Sequence, residues 1–136
     1  MSPRTMTSLT NMPSNIFKNV RTVAVPVSDQ DRSKSLLEQL GFTVSMDTEL
    51  QPGFRWIEMG LAVGASVSLV RSGPELPTGV DTGIRLETDD ARAALAAVAA
   101  AGLDVGELLD WPDVPLMFSF VDFDGNRFYV SEASVS

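Results

Sequence analysis

One stretch near the end of the chain, DFDGNRFYV (122–130), decides its fold. Asp124-Gly125 is typical of a turn between strands, because glycine tolerates positive φ and aspartate bonds to its own nearby backbone. The residues after the turn, Arg127 to Val130, are typical of a strand. The stretch therefore predicts a hairpin whose second strand carries Tyr129.

With this hairpin included, the same order of predicted strands and helices occurs twice along the chain. The first half predicts a strand over 20–27, a helix capped by Ser28 or Asp29 and ended by Gly41, and further strands around 42–48, 54–59 and 66–71. The turn-rich SGPELPTG (72–79) separates the halves. The second half predicts a strand over 82–88, an alanine-rich helix over 89–102, and strands in 105–111, 115–122 and 126–132.

The two halves are related by a constant offset. Gly41 and Gly102, which end the two helices, are 61 residues apart, and Val27-Ser28-Asp29 aligns with Thr88-Asp89-Asp90 at the same offset. A repeat of this period is typical of duplicated supersecondary units. We expect an α+β fold of two tandem βαβββ modules, forming a curved mixed sheet with helices on one face and a ligand cup on the other.

We expect one domain over 19–134, with modules at about 20–72 and 80–133, preceded by a flexible tail over 1–18. The phrases VAVPVSDQDR (23–32) and LEQLGFTV (37–44), followed by DFDGNRFYV, resemble the vicinal oxygen chelate superfamily. This superfamily contains glyoxalase I, extradiol dioxygenases and bleomycin-resistance proteins. The resemblance covers about residues 20–132. It implies a cup-shaped sheet, usually a homodimer, and in the enzymes a divalent metal held by His, Gln or Glu.

The resemblance also locates the metal-ligand positions, on the first and last strands of each module. They fall on Thr22, Ser68, Gly83 and Tyr129, and the motif and the 61-residue repeat agree on this register. Glycine has no side chain, and neutral hydroxyls bind transition metals weakly. The chain contains no histidine and no cysteine. We therefore expect no metal and no other cofactor.

Strand alternation divides the side chains between the core and the cup. It places apolar residues such as Val25 and Val130 toward the helices. An ordinary tyrosine, with a pKa near 10, favours a binding role over a catalytic one. Trp56 shares a strand face with Phe54 and Glu58, and the pattern leaves open whether that face lines the cup. Trp111 is expected at the rim. The predicted ligand-binding residues are Thr22, Ser66, Ser68, Arg85, Glu87, Arg127, Tyr129, Trp111 and Trp56.

The formal net charge of −8 argues against nucleic acid, because an acidic surface repels phosphate. This acidity could favour a cationic ligand or simply keep the protein soluble. No apolar run is long enough to span a membrane, and the N-terminal segment lacks the apolar core of a secretory signal. We expect a cytoplasmic protein whose partners are a small molecule and a second copy of itself.

The sequence leaves alternative functions open. The first is a metal-free protein that binds or sequesters a drug-like or secondary-metabolite ligand, similar to bleomycin-resistance proteins. The second is a lyase-type or dioxygenase-type enzyme with metal-free acid–base chemistry by Glu87 and Tyr129, or with a displaced metal site. That site would draw on carboxylates such as Glu58, Glu87, Asp110 and Glu132. The third is a regulatory or partner-binding module.

Overall fold

The computed structural model describes residues 15–133, which form two successive βαβββ modules. The first module contains β1 (Thr22–Val27), α1 (Gln30–Gln39), β2 (Thr43–Gln51), β3 (Phe54–Gly60) and β4 (Ser66–Arg71). The second contains β5 (Asp81–Thr88), α2 (Ala91–Ala100), β6 (Asp104–Val105), β7 (Met117–Val121) and β8 (Arg127–Glu132). The predicted fold class is confirmed.

Each module has its own four-stranded mixed sheet. The strand orders are β1-β4-β3-β2 and β5-β8-β7-β6. In each sheet the first and last strands of the module pair in parallel, and the other pairs are antiparallel. Parallel pairing of β1 with β4, and of β5 with β8, puts the two predicted metal-ligand positions of each module on neighbouring strands.

The helices begin and end as their sequences predict. Asp29 caps α1 by accepting a hydrogen bond from the Arg32 backbone N–H, and Asp90 caps α2 in the same way. Gly41 and Gly102 follow the helices with φ of +101° and +92°. Glycine adopts this left-handed conformation without steric cost. The repeated glycines therefore turn the chain from each helix toward its next strand.

The core lies between the sheets and the helices. The residues predicted to face the helices on β1, β4 and β8 are buried, among them Val25, Val27, Leu69, Phe128 and Val130. The side chains of both modules form one apolar cluster. On β3, Ile57 and Met59 are fully buried. Because strand residues alternate, the other β3 face, which carries Trp56 and Glu58, points away from the core.

The predicted strand over 105–111 is wrong in its extent. β6 contains only Asp104 and Val105, and after it the chain returns to β7 at a single bridge between Leu109 and Met117. Pro112 lacks a backbone N–H and Asp113 has φ of +67°, so the chain turns away from the ladder. Apolar residues alone had suggested a longer strand.

The turn quoted at the outset also joins the two modules. Asn126 is fully buried, and its side-chain amide donates to the Pro26 carbonyl of β1 at 2.7 Å. Its Oδ1 accepts from the backbone N–H groups of Gly79 and Val80 at 2.9 and 3.0 Å. The Asp124 carboxylate accepts from the backbone and hydroxyl of Ser28. This turn therefore fixes the second module against the end of β1.

Residues 1–14, most of the predicted tail, lie outside the described residues, and residues 15–20 are exposed. Among the described residues, no helix combines the length and the apolar character that a membrane span requires.

An ion-pair network between β2, β3 and α1 gives a pH-dependent contribution to stability. The Asp47 carboxylate accepts two hydrogen bonds from the Arg55 guanidinium and one from Lys34, each at 2.8 Å. Arg55 first, and then Lys34, hold the pKa of Asp47 well below its ordinary 3.8. A lowered carboxyl pKa stabilises the fold above the unfolded-state pKa, and this contribution is lost as the pH falls.

We expect Asp47→Asn to lower the melting temperature at pH 6, and the gap from wild type to shrink as the pH falls below about 4. Thermal melts between pH 6 and pH 2 measure this gap. Asp89→Asn, at an exposed carboxylate outside the described ion pairs, is the control. A gap that is constant with pH would contradict the assignment.

Candidate functional site

A buried carboxylate organises the first sheet on the face away from the helices. Glu58 is only 5% exposed, and its Oε2 accepts from the Arg21 guanidinium at 2.8 Å and from the Trp56 indole N–H at 2.7 Å. Its Oε1 accepts a longer bond of 3.4 Å from the Ser66 hydroxyl. This network fixes the orientation of the Trp56 ring.

Trp56 lies on the same sheet face as the predicted polar set. Glu58 pairs across the ladder with Ser68, and cross-strand partners share a face. The Trp56 ring packs near Phe54, with centroids 6.1 Å apart and planes tilted by 54°. Phe54 is 37% exposed. The question left open by the sequence is therefore answered: these aromatic rings line the face opposite the core.

The side chains of Thr22 and Ser68 lie together, but their hydroxyl groups are not free to bind a ligand. Their hydroxyls are hydrogen-bonded to each other. Ser68 is fully buried, whereas Thr22 is partly exposed. The expectation that Ser68 contacts a ligand directly is therefore not supported by its position. Ser68 lies on β4, between its paired residues Ala24 of β1 and Glu58 of β3.

The corresponding face of the second sheet carries a tyrosine–carboxylate pair. The Tyr129 hydroxyl donates to Asp81 at 2.6 Å. The Arg85 guanidinium lies 4.0 Å from the centre of the Tyr129 ring and donates to the Gly83 carbonyl. Arg127 donates to the Ser119 hydroxyl at 2.9 Å. Arg85 and Tyr129 are thus held in a fixed relation.

The pair shifts the pKa values of both partners. The hydrogen bond from Tyr129 lowers the pKa of Asp81, with a further contribution from the Gly83 backbone N–H. The same hydrogen bond raises the pKa of Tyr129 above its ordinary 10.0, because it favours the protonated phenol. At neutral pH, Tyr129 is therefore a hydrogen-bonding phenol rather than a base.

Because Tyr129 is the sole tyrosine of the chain, this geometry has a direct spectroscopic test. We expect the tyrosinate absorbance to rise at a higher pH than in a model peptide. Asp81→Asn removes the negative charge and should lower the midpoint. Asp104→Asn, at an exposed carboxylate on β6, should leave it unchanged. Equal midpoints in wild type and Asp81→Asn would rule out the hydrogen bond.

A cleft at the boundary between the modules collects part of the predicted site. It has a volume of ≈ 500 Å³ and is lined by Ser66, Arg85 and Glu87. Its other walls include Val23, Phe42, Leu61, Val67, Ile84 and Leu86. Among residues 15–133, no ion pair joins Arg85 to Glu87. The cleft thus has an apolar wall and charged groups beside it.

A second, more apolar crevice of ≈ 220 Å³ lies next to the cleft. It opens between the end of α1, the helix α2 and β5. Phe42, Leu61, Leu86 and Glu87 line both spaces. The boundary between the modules is therefore incompletely packed along its length.

The remaining predicted residues are not among those that line this cleft. Tyr129 contacts Arg85, and Arg127 lies beside Tyr129 on β8. Trp111 is 57% exposed in the loop between β6 and β7. Among the described hydrogen bonds, ion pairs and ring contacts, none joins Trp111 to the residues of the cleft. Trp111 therefore takes part in none of the described contacts that join the other predicted residues.

The superfamily's metal can be tested against the side chains at the four positions. The hydroxyls of Thr22 and Ser68 bond each other, and the Tyr129 hydroxyl bonds Asp81. Gly83 has φ of +70°, so a ligating side chain there would be strained. Among residues 15–133, no group of three or more carboxylates is placed to hold a metal ion. These residues do not fit a divalent metal.

Solved structures share this fold and part of the sequence. The chain is similar to TnmS3, an antibiotic-binding protein from Streptomyces sp. CB03234, with 30% identity, coverage of 88% of this chain and 98% of that chain, and a TM-score of 0.77. It is 31% identical to a glyoxalase/bleomycin resistance protein from the same strain, covering 84% and 99% of the two chains with a TM-score of 0.71.

A further match is a member of the glyoxalase/bleomycin resistance protein/dioxygenase superfamily from Sphaerobacter thermophilus DSM 20745. It has 25% identity, coverage of 87% and 99%, and a TM-score of 0.78. No family model and no curated protein matches the chain. With identity of 30% or more over nearly the whole length of two of these structures, the chain belongs to the glyoxalase/bleomycin resistance protein/dioxygenase superfamily, also called vicinal oxygen chelate proteins.

Proposed function

We propose that this protein binds a drug-like or secondary-metabolite molecule without a metal ion. The observation that carries the proposal is the state of the superfamily's metal positions. Thr22 is bonded to Ser68, Tyr129 is bonded to Asp81, and Gly83 contributes no side chain. The similarity to TnmS3, an antibiotic-binding protein, supports an antibiotic as the kind of molecule bound.

The cleft between the modules supports a binding role. Small-molecule sites are commonly concave spaces of roughly 300–1,000 Å³ with apolar walls and a few polar groups. The cleft of ≈ 500 Å³ has this composition, with Ser66, Arg85 and Glu87 as its polar members. We place the ligand in this cleft, with Tyr129 and Arg127 beside it and the Trp56 ring on the neighbouring sheet face.

The enzyme alternative receives less support from the positions of its candidate groups. Glu58 is bonded to Arg21, and Glu132 accepts from the backbone N–H of Ala91 at the start of α2. Asp110 is exposed and lies 3.8 Å from Arg92. Of the carboxylates considered for a displaced metal site, Glu87 lines the cleft and the others lie elsewhere. Tyr129, with its raised pKa, is a poor base.

The proposal includes a cytoplasmic homodimer, which is usual in this superfamily. Large apolar side chains exposed just before β1 support a second copy. They are Ile16, Phe17 and Val20.

A thermal-shift experiment tests the proposed function. Mn²⁺, Zn²⁺ and Ni²⁺ should leave the melting temperature unchanged, while members of an antibiotic panel should raise it by mass action. Ser66→Trp, which fills the cleft, should abolish the response to an active compound. Ser35→Trp, on the exposed face of α1, should retain it. Stabilisation by a metal ion and by none of the compounds would overturn the proposal.

A further inference from the structure

The proposed function does not say whether the ligand is cationic, anionic or neutral. The hydrogen bonds that the charged side chains already make indicate which of these the site favours. The carboxylates Glu58 and Asp81 already accept hydrogen bonds from their own surroundings. Glu58 accepts from Arg21, Trp56 and Ser66, and Asp81 accepts from Tyr129 and Gly83. Of about four lone-pair sites on each carboxylate, these bonds occupy three on Glu58 and two on Asp81, which reduces the acceptor capacity left for a cationic ligand.

The guanidinium groups on the same faces keep most of their N–H donors unused. Arg21, Arg85 and Arg127 are exposed, and each makes one described side-chain hydrogen bond. A guanidinium carries several N–H donors in a planar fork, so each retains donors that face solvent. Although the whole protein is strongly acidic, the unused hydrogen-bonding capacity on these faces consists largely of donors.

Arg85 combines free donors with a fixed position. Its guanidinium stacks on the Tyr129 ring and is tied to the Gly83 carbonyl at 3.0 Å. Tyr129 is in turn held by Asp81. A donor that is held before binding loses less conformational entropy when a ligand arrives. Arg85 lines the cleft, as do its neighbours on β5, Ile84 and Leu86.

Glu87 is the opposing charge in the cleft, and it is exposed. None of the described side-chain hydrogen bonds or ion pairs involves it, so nothing in these contacts fixes its carboxylate in one position. Binding a cation would order the Glu87 side chain and cost side-chain entropy. Binding an anion to Arg85 costs less, because its guanidinium is already held in place.

Resting on the proposed binding function, we propose that the cleft selects a largely apolar molecule that presents an anionic or carbonyl oxygen to Arg85. The apolar body lies against Val23, Phe42 and Leu61, and the oxygen accepts from the guanidinium. This assignment is opposite to the cationic ligand that the net charge of the chain suggests. Arg85 is the residue that determines specificity, and Glu87 is not.

Matched probes of opposite charge test this assignment. Anthracene-9-carboxylate and 9-(aminomethyl)anthracene have the same ring system, and their binding can be followed by isothermal titration calorimetry at fixed ionic strength. We expect the carboxylate to bind at least about tenfold more tightly than the amine, as one charge-assisted hydrogen bond allows. Arg85→Gln should remove about this factor, and Arg85→Lys should restore part of it. Glu87→Gln removes a like charge from the cleft and should tighten binding of the carboxylate probe.

The outcomes separate this inference from the function on which it rests. Tighter binding of the amine, with its loss in Glu87→Gln, would overturn the acceptor assignment and leave small-molecule binding standing. Equal binding of both probes, unaffected by Arg85→Gln, would do the same. Binding of neither probe, together with an antibiotic panel that leaves the melting temperature unchanged, would contradict both proposals.

Discussion

Replacing Asn126 with alanine is expected to lower the free energy of unfolding by about 2–4 kcal/mol, the largest loss among the substitutions considered. The Asn126 side chain is fully buried and bonds the Pro26 carbonyl and the backbone N–H groups of Gly79 and Val80. Alanine leaves these groups without their partner, and each unsatisfied buried polar group costs roughly 1–3 kcal/mol. Water entering the space would offset part of this sum.

Urea denaturation of Asn126→Ala measures this loss, with Asn19→Ala as the matched control. Asn19 is exposed and takes part in none of the described side-chain hydrogen bonds. Asn126→Asp keeps an acceptor for Gly79 and Val80 but replaces the donor to Pro26, so it should also be destabilised. A loss in Asn126→Ala no larger than in Asn19→Ala would show that the turn does not join the modules.

Glu58→Ala is expected to lower the free energy of unfolding by about 2 kcal/mol and to make the Trp56 ring more mobile. The indole N–H of Trp56 loses its 2.7 Å acceptor in a partly buried position, and an unsatisfied donor of this kind costs roughly 1–3 kcal/mol. The Arg21 side chain is 67% exposed, so its charge returns to water and adds little. The loss should therefore be smaller than for a pair in which both charges are buried.

The change at Trp56 can be followed separately from stability. With Trp111→Phe as background, Trp56 is the remaining tryptophan, and its fluorescence anisotropy reports ring mobility. We expect lower anisotropy in Glu58→Ala and a smaller change in Glu58→Gln, whose amide oxygen can still accept from the indole. Glu107→Ala, in the exposed loop after β6, is the control. Unchanged anisotropy in Glu58→Ala would contradict the positioning role.

The fold could be predicted from the sequence because its signals are local and occur twice. Asp29 and Asp90 cap the helices, Gly41 and Gly102 end them, and alternation sorts the side chains of each strand. The strand predicted over 105–111 is shorter in the structure, because pairing with β7 ends at Leu109 and Pro112 lacks a backbone N–H.

The site was only partly accessible from the sequence. Asp81 was missed, although it shares strand parity with Gly83 and Arg85. Starting the strand one residue earlier would have placed it opposite Arg127, on the same sheet face as Tyr129. Within the predicted strand over 20–27, alternation put Arg21 on the face opposite Thr22, toward the helices. In the structure β1 begins at Thr22, and Arg21 lies just outside it and bonds Glu58. The inter-module role of Asn126 spans 100 residues of sequence, and no local pattern encodes such a contact.

We propose that this superfamily member binds its ligand without a metal ion. Native mass spectrometry of gently purified protein, with an elemental metal assay on the same sample, tests this proposal. We expect a dimer without stoichiometric metal, carrying an adduct of a few hundred daltons, roughly the size that fits such a cleft. About one metal ion per site would contradict the assignment of Thr22, Ser68, Gly83 and Tyr129 as positions that do not ligate metal.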